Sequence, residues 1–176
     1  YPNGPVDIGI LVDHDALAAV GVDVPTAKWT WNDLLSAARR LVKKNGDTVS
    51  QWGFGWLNGF YQPWVWANGG ECFDKALYMT TCQLDQPHAV SGLQAFADMG
   101  VKDKVTPTPY GYKGIDIQKA FYTGAVRFPL TGAGSWEVRF IPTNLPFKWS
   151  VVPLAIGPAG NNGSITWSGG TCIAKG

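Results

Sequence analysis

Short apolar segments alternate with helical patterns along this chain, and glycine or proline closes most of them. Ile8 to Val12 is an unbroken apolar run that predicts a buried strand, and Asp15 to Val20 predicts a short helix that ends near Gly21. Because such alternation places helices over a sheet, the predicted fold class is α/β. The length of 176 residues predicts a single domain over 1–176.

The helix with the clearest limits begins at Thr30. Its hydroxyl can cap the helix, and Asp33 follows three residues later, where the helix dipole favours a carboxylate. Apolar residues then recur at helical spacing as far as Val42. Basic residues occupy the last turns, and Gly46 is the predicted end.

The rest of the chain continues the alternation. Further strands are predicted at 52–56, 125–130, 149–154 and 171–174. Further helices are predicted to begin near Pro63, Pro87, Asp116 and Ser135. We also predict a hairpin between Cys72 and Cys82, and a turn over 132–134.

Charge and motif content exclude several classes of function. The net charge is +1, only 15% of the residues are charged and no basic stripe is visible, so nucleic acid is not an expected partner. No apolar run approaches the roughly 20 residues of a membrane span. The sequence contains no phosphate-binding loop and no Gly-x-Ser-x-Gly motif. It therefore indicates no catalytic residue, although Glu71, Asp74 or Glu137 could act as acids if two of them shared a cleft.

The cysteines and histidines lack the spacing of a metal site. Cys72, Cys82 and Cys172 form no C-x-x-C pair, and His14 and His88 are far apart in sequence. The odd number of cysteines allows one disulfide with one buried thiol, or three buried thiols.

Aromatic residues are abundant, at 13% of the chain with nine Trp. Core packing explains about half of these rings, but a flat ring also suits the apolar C–H face of a sugar. Two aromatic loops stand out, Phe60 to Trp66 and Gly132 to Trp136. Each links a predicted strand to the start of a predicted helix. We therefore expect both at the carboxyl ends of strands, where α/β proteins bind ligands.

Six motifs in order resemble those of family 1 extracellular solute-binding proteins, the group that includes maltose-binding protein. They are Trp66-Ala67-Asn68-Gly69-Gly70, Asp85 to Val90, Ala120 to Val126, Gly134-Ser135-Trp136, Val152 to Pro158, and Gly169 to Gly176. The chain departs from the family pattern at Val12-Asp13, where Tyr-Asn is usual, and at Ala155, where Pro is usual. Pro129 also falls inside a predicted strand, where it removes a ladder N–H.

The resemblance implies a type II periplasmic-binding-protein fold, in which two lobes close on a ligand. The chain would be most of the C-terminal lobe, with helices packed around a small mixed sheet, and without the N-terminal lobe and the final helices. A lone lobe is expected either to self-associate or to leave aromatic residues exposed beside Tyr61 and Trp136.

The resemblance also assigns a ligand site. Trp136 and Tyr61 would stack on the ligand, and Phe60, Gln62, Gly169 and Gly170 would line the cleft, with Trp167 and Trp64 as further candidates. Because the family is extracellular, where disulfides persist, a Cys72–Cys82 disulfide is expected, with Cys172 buried and free.

The expected function is that of the substrate receptor of an ABC importer for a sugar or oligosaccharide. Its partner would be the membrane subunits of the importer, its location the periplasm or the cell surface, and no cofactor is implied. Two alternatives remain open, a carbohydrate-active enzyme and a free-standing carbohydrate-binding module. Within the family, glycerol phosphate or a polyamine is also open as the ligand.

Overall fold

The structure is a computed structural model that describes most of the chain. The described residues are 2–56, 60–74, 78–108, 117–122, 127–134, 138 and 141–170, with the backbone alone described at 2–7, 117–118 and 166–170. The predicted strand at 171–174 and the predicted helix start at Ser135 lie outside these residues.

Helices and strands alternate through the described residues. The helices are α1 (His14–Ala19), α2 (Trp31–Leu41), α3 (Gln62–Ala67), α4 (Pro87–Val101) and α5 (Ile117–Tyr122). The strands are β1 (Pro2–Asp13), β2 (Lys43–Asn45), β3 (Thr48–Gln51), β4 (Leu130–Gly134), β5 (Trp149–Val152) and β6 (Thr166–Gly170). The predicted α/β class is therefore confirmed. Among the described helices, none has the length and apolar character that crossing a membrane requires.

The main sheet is organised around β1. The second half of this strand pairs with β4 on one side, from Ile8 opposite Gly134 to Val12 opposite Leu130. It also pairs antiparallel with β5, where Ile10 lies opposite Val152. The first half of β1 pairs with β6 instead, with Pro2 opposite Gly170. One long strand thus belongs to the sheet at one end and to a two-stranded ribbon at the other.

A further extended segment, 51–56, runs parallel to β4. Gly55 pairs with Thr131, and the backbone N–H of Gly132 donates to the Gly55 carbonyl at 2.8 Å. Because β4 is antiparallel to β1 and parallel to this segment, the sheet is mixed, as predicted. The segment covers the predicted strand at 52–56.

Helix α2 confirms the predicted cap. The backbone N–H of Thr30 donates to the Asp33 carboxylate at 2.8 Å, and the N–H of Asp33 donates to the Thr30 hydroxyl at 3.3 Å. The predicted end near Gly46 is wrong, because the helix ends at Leu41 and a β2–β3 hairpin follows. Gly46 has a φ of 61° in the hairpin turn, so its conformational freedom serves that turn.

The predicted turn at 132–134 is also wrong, since these residues are the second half of β4. Pro129 explains the shift. It has no N–H to give to a ladder, and the strand begins at the next residue, Leu130. Gly132 serves packing here, because a Cβ at this position would lie 2.3 Å from the Trp56 ring.

The main hydrophobic core lies on one face of the sheet. Ile10 and Val12 of β1 pack there with Leu34 and Leu41 of α2 and with buried aromatic rings. A smaller cluster on the other side contains Leu11, which alternates with Ile10 and Val12 along the strand.

Candidate functional site

Two neighbouring parallel segments end at the same edge of the sheet. One is the segment that ends at Trp56, and the other is β4, which ends at Gly134. The prediction that the first aromatic loop follows the carboxyl end of a strand agrees with this arrangement. Of the second predicted loop, 132–134 belong to β4, and Ser135 and Trp136 lie outside the described residues. The edge between Trp56 and Gly134 is therefore the starting point for a ligand site.

The first aromatic loop is tied back to the strand that precedes it. The indole Nε1–H of Trp56 donates to the Phe60 carbonyl at 2.7 Å. Phe60 is half-buried and packs against the main core. Tyr61 is the N-cap residue of α3, and its half-buried ring packs on a small cluster that includes Val65. Phe60 and Tyr61 are thus brought together at the predicted edge.

Two polar atoms in the first turn of α3 have no hydrogen-bond partner within the part of the chain that is described. They are Oε1 of Gln62 and Nε1 of Trp64, and both are buried. The Gln62 side chain as a whole is half-buried, which leaves its other atoms available at the edge.

Trp64 does not line the cleft as the sequence predicted. It is 6% exposed, and its ring packs against Trp31 at 5.1 Å and against Trp56 at 5.7 Å between ring centroids. Phe96 of α4 stacks on it at 5.6 Å. Rings from three other parts of the chain surround Trp64, so it is a core residue.

The other predicted site residues are only partly placed. Trp136 lies outside the described residues, and of Trp167 only the backbone is described. Gly169 and Gly170 belong to β6, where Gly170 pairs with Pro2. Six residues separate Pro2 from Ile8, the partner of Gly134, and this is roughly 20 Å along β1. The two glycines therefore belong to the ribbon rather than to the edge beside Gly134.

A large open cleft of about 890 Å³ lies beside this edge. One wall is Trp66 at the end of α3. The second is the hairpin that contains Phe73 and Met79, and the third is the loop that leads into β6. The lining residues combine apolar and hydrogen-bonding groups: Trp66, Glu71, Cys72, Phe73, Asp74, Met79, Asn161, Gly163, Ser164 and Ile165.

The third wall connects the cleft to the sheet edge. The Ser164 hydroxyl donates to the Ile8 carbonyl at 3.3 Å, and Ile8 pairs with Gly134. Ser164 and Gly134 therefore lie within roughly 10 Å of each other, about two strand spacings.

The acids considered for an enzyme are arranged differently from a catalytic pair. Asp74 lines the cleft, but its carboxylate accepts the backbone N–H groups of Thr80 and Thr81 at 3.0 Å each, and the Thr80 hydroxyl as well. The hydroxyl bond first, and then the backbone bonds, lower the pKa of Asp74 to about 2. An acid this strong is not suited to donate protons near neutral pH. Glu71 is exposed in the cleft, and Glu137 lies outside the described residues.

Within the described ranges, no three His, Cys, Asp or Glu side chains are grouped so as to hold a metal ion.

The predicted hairpin is present, but its two cysteines are free thiols, so the expected Cys72–Cys82 disulfide is not formed. Cys82 lies opposite Phe73 rather than opposite Cys72. Because neighbouring residues of a strand point to opposite faces, this register turns Cys72 inward and Cys82 outward. Cys72 is buried and Cys82 is exposed, in agreement with that register. Cys172 lies outside the described residues.

Sequence reasoning missed the cleft residues Trp66, Phe73, Asn161 and Ser164. Trp66 could have been predicted, because it belongs to the motif Trp66-Ala67-Asn68-Gly69-Gly70. No sequence signal marked Asn161 or Ser164, because loop residues reach a cleft only through the pairing of distant strands.

The sequence and the fold match known proteins. The profile of the family described as bacterial extracellular solute-binding protein matches residues 3–175. No curated protein matches the sequence.

Several solved structures share the fold. An ABC substrate-binding protein from Listeria monocytogenes, in complex with cycloalternan, has a TM-score of 0.76 at 24% identity over 89% of this chain and 39% of its own. Maltose-bound MalE3 of T. maritima has a TM-score of 0.73 at 22% identity, over 96% of this chain and 43% of its own. UgpB from Mycobacterium tuberculosis, in complex with glycerophosphocholine, has a TM-score of 0.72 at 18% identity, over 94% and 39%. The chain thus spans about two fifths of each of these proteins.

Proposed function

The chain belongs to the bacterial extracellular solute-binding protein family, and on that basis we propose that it forms one lobe of a receptor that delivers a sugar or oligosaccharide to an ABC importer. The receptor would work outside the cytoplasm, in the periplasm or on the cell surface. Its macromolecular partner would be the membrane subunits of the importer.

The ribbon of β1 and β6 supports the assignment to one lobe. The first half of β1 pairs with β6 and lies beyond the part of the strand that pairs with β4 and β5. Two adjacent strands that leave a domain together can connect it to a second lobe and act as a hinge between the two lobes. The matched structures are more than twice as long as this chain, which leaves room for that lobe.

The observation that carries the proposal is the composition of the cleft beside the sheet edge. Trp66 and Phe73 offer apolar ring surface, and Asn161 and Ser164 offer hydrogen-bonding groups. A saccharide presents the complementary surfaces, C–H faces and hydroxyl rims.

The ligands of the matched proteins agree with a saccharide. Two of the three structures described above hold one, cycloalternan or maltose. The third holds glycerophosphocholine, and proteins commonly bind a phosphate group with Arg or Lys. None of the described residues that line the cleft is Lys or Arg. This favours a sugar over a phosphate ester.

Binding rather than catalysis is the function that the described acids favour. Asp74 is held as a carboxylate by its hairpin. The helices α2 and α4 also argue against a free-standing carbohydrate-binding module, for which a β-rich structure is expected.

Calorimetry on the full-length protein that contains this chain tests the proposal. A panel of neutral saccharides, glycerophosphocholine and spermidine is titrated into the wild type. We expect saturable binding of at least one saccharide and none of the phosphate ester or the polyamine. Binding of either of these, with no saccharide bound, would overturn the proposal.

Variants then test the predicted stacking residues. Tyr61→Ala and Trp136→Ala should each weaken saccharide binding by about ten- to a hundredfold, or about 1–3 kcal/mol. Tyr78→Ala is the matched control, because Tyr78 is 81% exposed and does not line the cleft. Unchanged affinity in a folded variant would remove that residue from the site.

A further inference from the structure

The end of the sheet opposite the candidate ligand edge carries a second, smaller depression. Its volume is about 340 Å³, and it lies where β1 ends at Asp13. Asp13 follows Ile8, the partner of Gly134, by five residues, which is roughly 17 Å along the strand. None of the described residues that line this depression also lines the cleft beside the edge. The depression is therefore a separate place in the fold, and the proposed function does not use it.

A buried ion pair lies at the base of the depression. Asp13 is 1% exposed, and its carboxylate accepts the Ala16 N–H at 2.9 Å and a hydrogen bond from the Arg127 guanidinium. The guanidinium carbon of Arg127 also lies 5.0 Å from the centroid of the Phe147 ring. Asp13 stands where the family pattern usually has Asn, so the acid that holds Arg127 in place is a departure of this chain.

The backbone of Arg127 is fixed as well as its side chain. The Trp52 N–H donates to the Arg127 carbonyl at 3.0 Å, and the Arg127 N–H donates to the Ser50 carbonyl at 3.3 Å. The Arg127 side chain is nevertheless 41% exposed, and its guanidinium has more N–H groups than Asp13 occupies. A planar guanidinium that is already held in position suits a carboxylate ligand.

Gln51 brings an unused acceptor to the same depression. The residue is 5% exposed, and its side-chain N–H donates to the Leu41 carbonyl at 2.7 Å. Its Oε1 accepts no hydrogen bond from the residues that the structure describes. Acceptors on side chains this buried are normally paired, so an N–H donor on a bound molecule is the group that Oε1 fits.

The charges around the depression balance. Lys43 and Asp15 line it and are exposed, and neither forms an ion pair with another described residue. Together with Asp13 and Arg127 they give two negative and two positive charges, which sum to zero. A ligand with one charge of each sign complements such a site, whereas a phosphate or a polyamine would bring an unbalanced charge.

We propose that this depression is a second ligand site, which binds a small α-amino acid as its zwitterion. The carboxylate of the ligand lies against Arg127 and Lys43. Its ammonium group donates to Oε1 of Gln51 and faces the Asp15 carboxylate. The proposal goes beyond the proposed function and does not depend on it.

The rest of the wall limits the size of the ligand. Ala16 and Ala19 of α1 and Pro146 provide a small apolar surface for its side chain. The volume is near the lower end of the range of about 300–1,000 Å³ for small-molecule sites. Alanine, valine and leucine are the amino acids that match this combination of volume and apolar wall.

The test is calorimetry on the full-length protein that contains this chain. Alanine, valine and leucine are titrated first, and then the methyl ester and the N-acetyl derivative of the tightest binder. We expect saturable binding of at least one amino acid. Each derivative lacks one of the two charges and should bind at least about tenfold more weakly. Binding of none of the three, or derivatives that bind as well as the parent, overturns the proposal.

Variants then locate the site. Arg127→Lys keeps a cation beside Asp13 but loses the planar fork, and it should weaken binding about tenfold. Lys43→Gln should weaken binding about two- to fivefold, the effect of one exposed charge. Lys44→Gln is the matched control, because Lys44 is exposed on the same strand and does not line the depression.

The folding of each variant is checked by circular dichroism. If Arg127→Lys does not fold, Lys43→Gln and its control decide, since both of these lysines are exposed. Full affinity in folded Lys43→Gln, or an equal loss in Lys44→Gln, removes the amino acid from this depression and overturns the proposal.

A last titration separates this site from the cleft. The amino acid is titrated again in the presence of a saturating concentration of the saccharide that the protein binds. Both ligands should bind at once, each with a stoichiometry of one. Mutual exclusion would place the amino acid in the cleft, which overturns the second site and leaves the proposed function standing. If no saccharide binds, the proposed function fails, and the Lys43 and Arg127 variants still decide on the second site.

Discussion

The indole N–H of Trp56 donates to the Phe60 carbonyl at 2.7 Å, and this bond closes the loop that presents Tyr61. Trp56 is 2% exposed, and its ring packs against Phe54 and Trp64 at 5.7 Å. One buried ring thus fixes both the end of a strand and the start of α3.

Trp56→Phe should therefore destabilise the chain by about 1–3 kcal/mol, because it removes ring volume from the core together with the donor to Phe60. Urea unfolding measures the change. Trp31→Phe is the matched control, since Trp31 belongs to the same aromatic cluster and is only half-buried. Equal losses in the two variants would show that the hydrogen bond contributes nothing beyond packing.

Gly132→Ala should destabilise by about 1–3 kcal/mol, the range for overpacking, since the new methyl would meet the Trp56 ring at 2.3 Å. Gly100→Ala is the control, because its Cβ would lie 3.5 Å from the nearest atom and α4 gains a better helix former. Thermal unfolding of both variants is the measurement. A neutral Gly132→Ala would mean that the ring can move away without cost.

Asp74 should make the hairpin sensitive to acid. Its pKa is lowered from 3.8 to about 2 in the folded chain, so its stabilising contribution is complete above about pH 4 and is lost as the pH falls through about 2. Asp74→Asn should flatten the dependence of the urea midpoint on pH over that interval. Thr80→Val, which removes only the hydroxyl donor, should give an intermediate slope. An unchanged slope in Asp74→Asn would contradict the assignment.

The two hairpin thiols should differ in reactivity. Burial, with a smaller effect of the Glu71 carboxylate, raises the pKa of the Cys72 thiol, so little thiolate forms near neutral pH. Iodoacetamide without reductant should modify the exposed Cys82 first, and peptide mass mapping gives the rate at each site. In denaturant the two rates should converge. Cys82 that reacts only after reduction would show that the thiols are oxidised in the protein.

Features set by neighbours in sequence could be predicted. The Thr30–Asp33 cap, the buried run from Ile8 to Val12 and the hairpin at Cys72 each depend on residues close together in the chain. Their physical causes, capping, burial and turn formation, are local.

Features set by distant contacts could not be predicted. Trp64 and Trp66 lie two residues apart in the short helix α3. The sequence alone predicts the same role for both, as members of the aromatic loop Phe60 to Trp66. Trp31, Phe54 and Phe96 decide that Trp64 is in the core, and none of them is near it in sequence. In the same way, the distant Trp56 ring explains why position 132 needs a glycine, and no residue near Gly132 in sequence indicates this contact.

The central position of β1 has a consequence for how the chain acquires its structure. The strand is at the beginning of the chain, and its partners β4, β5 and β6 all come from residues 130–170. Contacts between such distant segments form slowly, since a long loop must close first. During synthesis the pairing of β1 with all three partners cannot be complete before β6, Thr166–Gly170, has been made. Until β4 has been made, β1 has none of its sheet partners, so the order of the strands along the chain decides when the sheet can form.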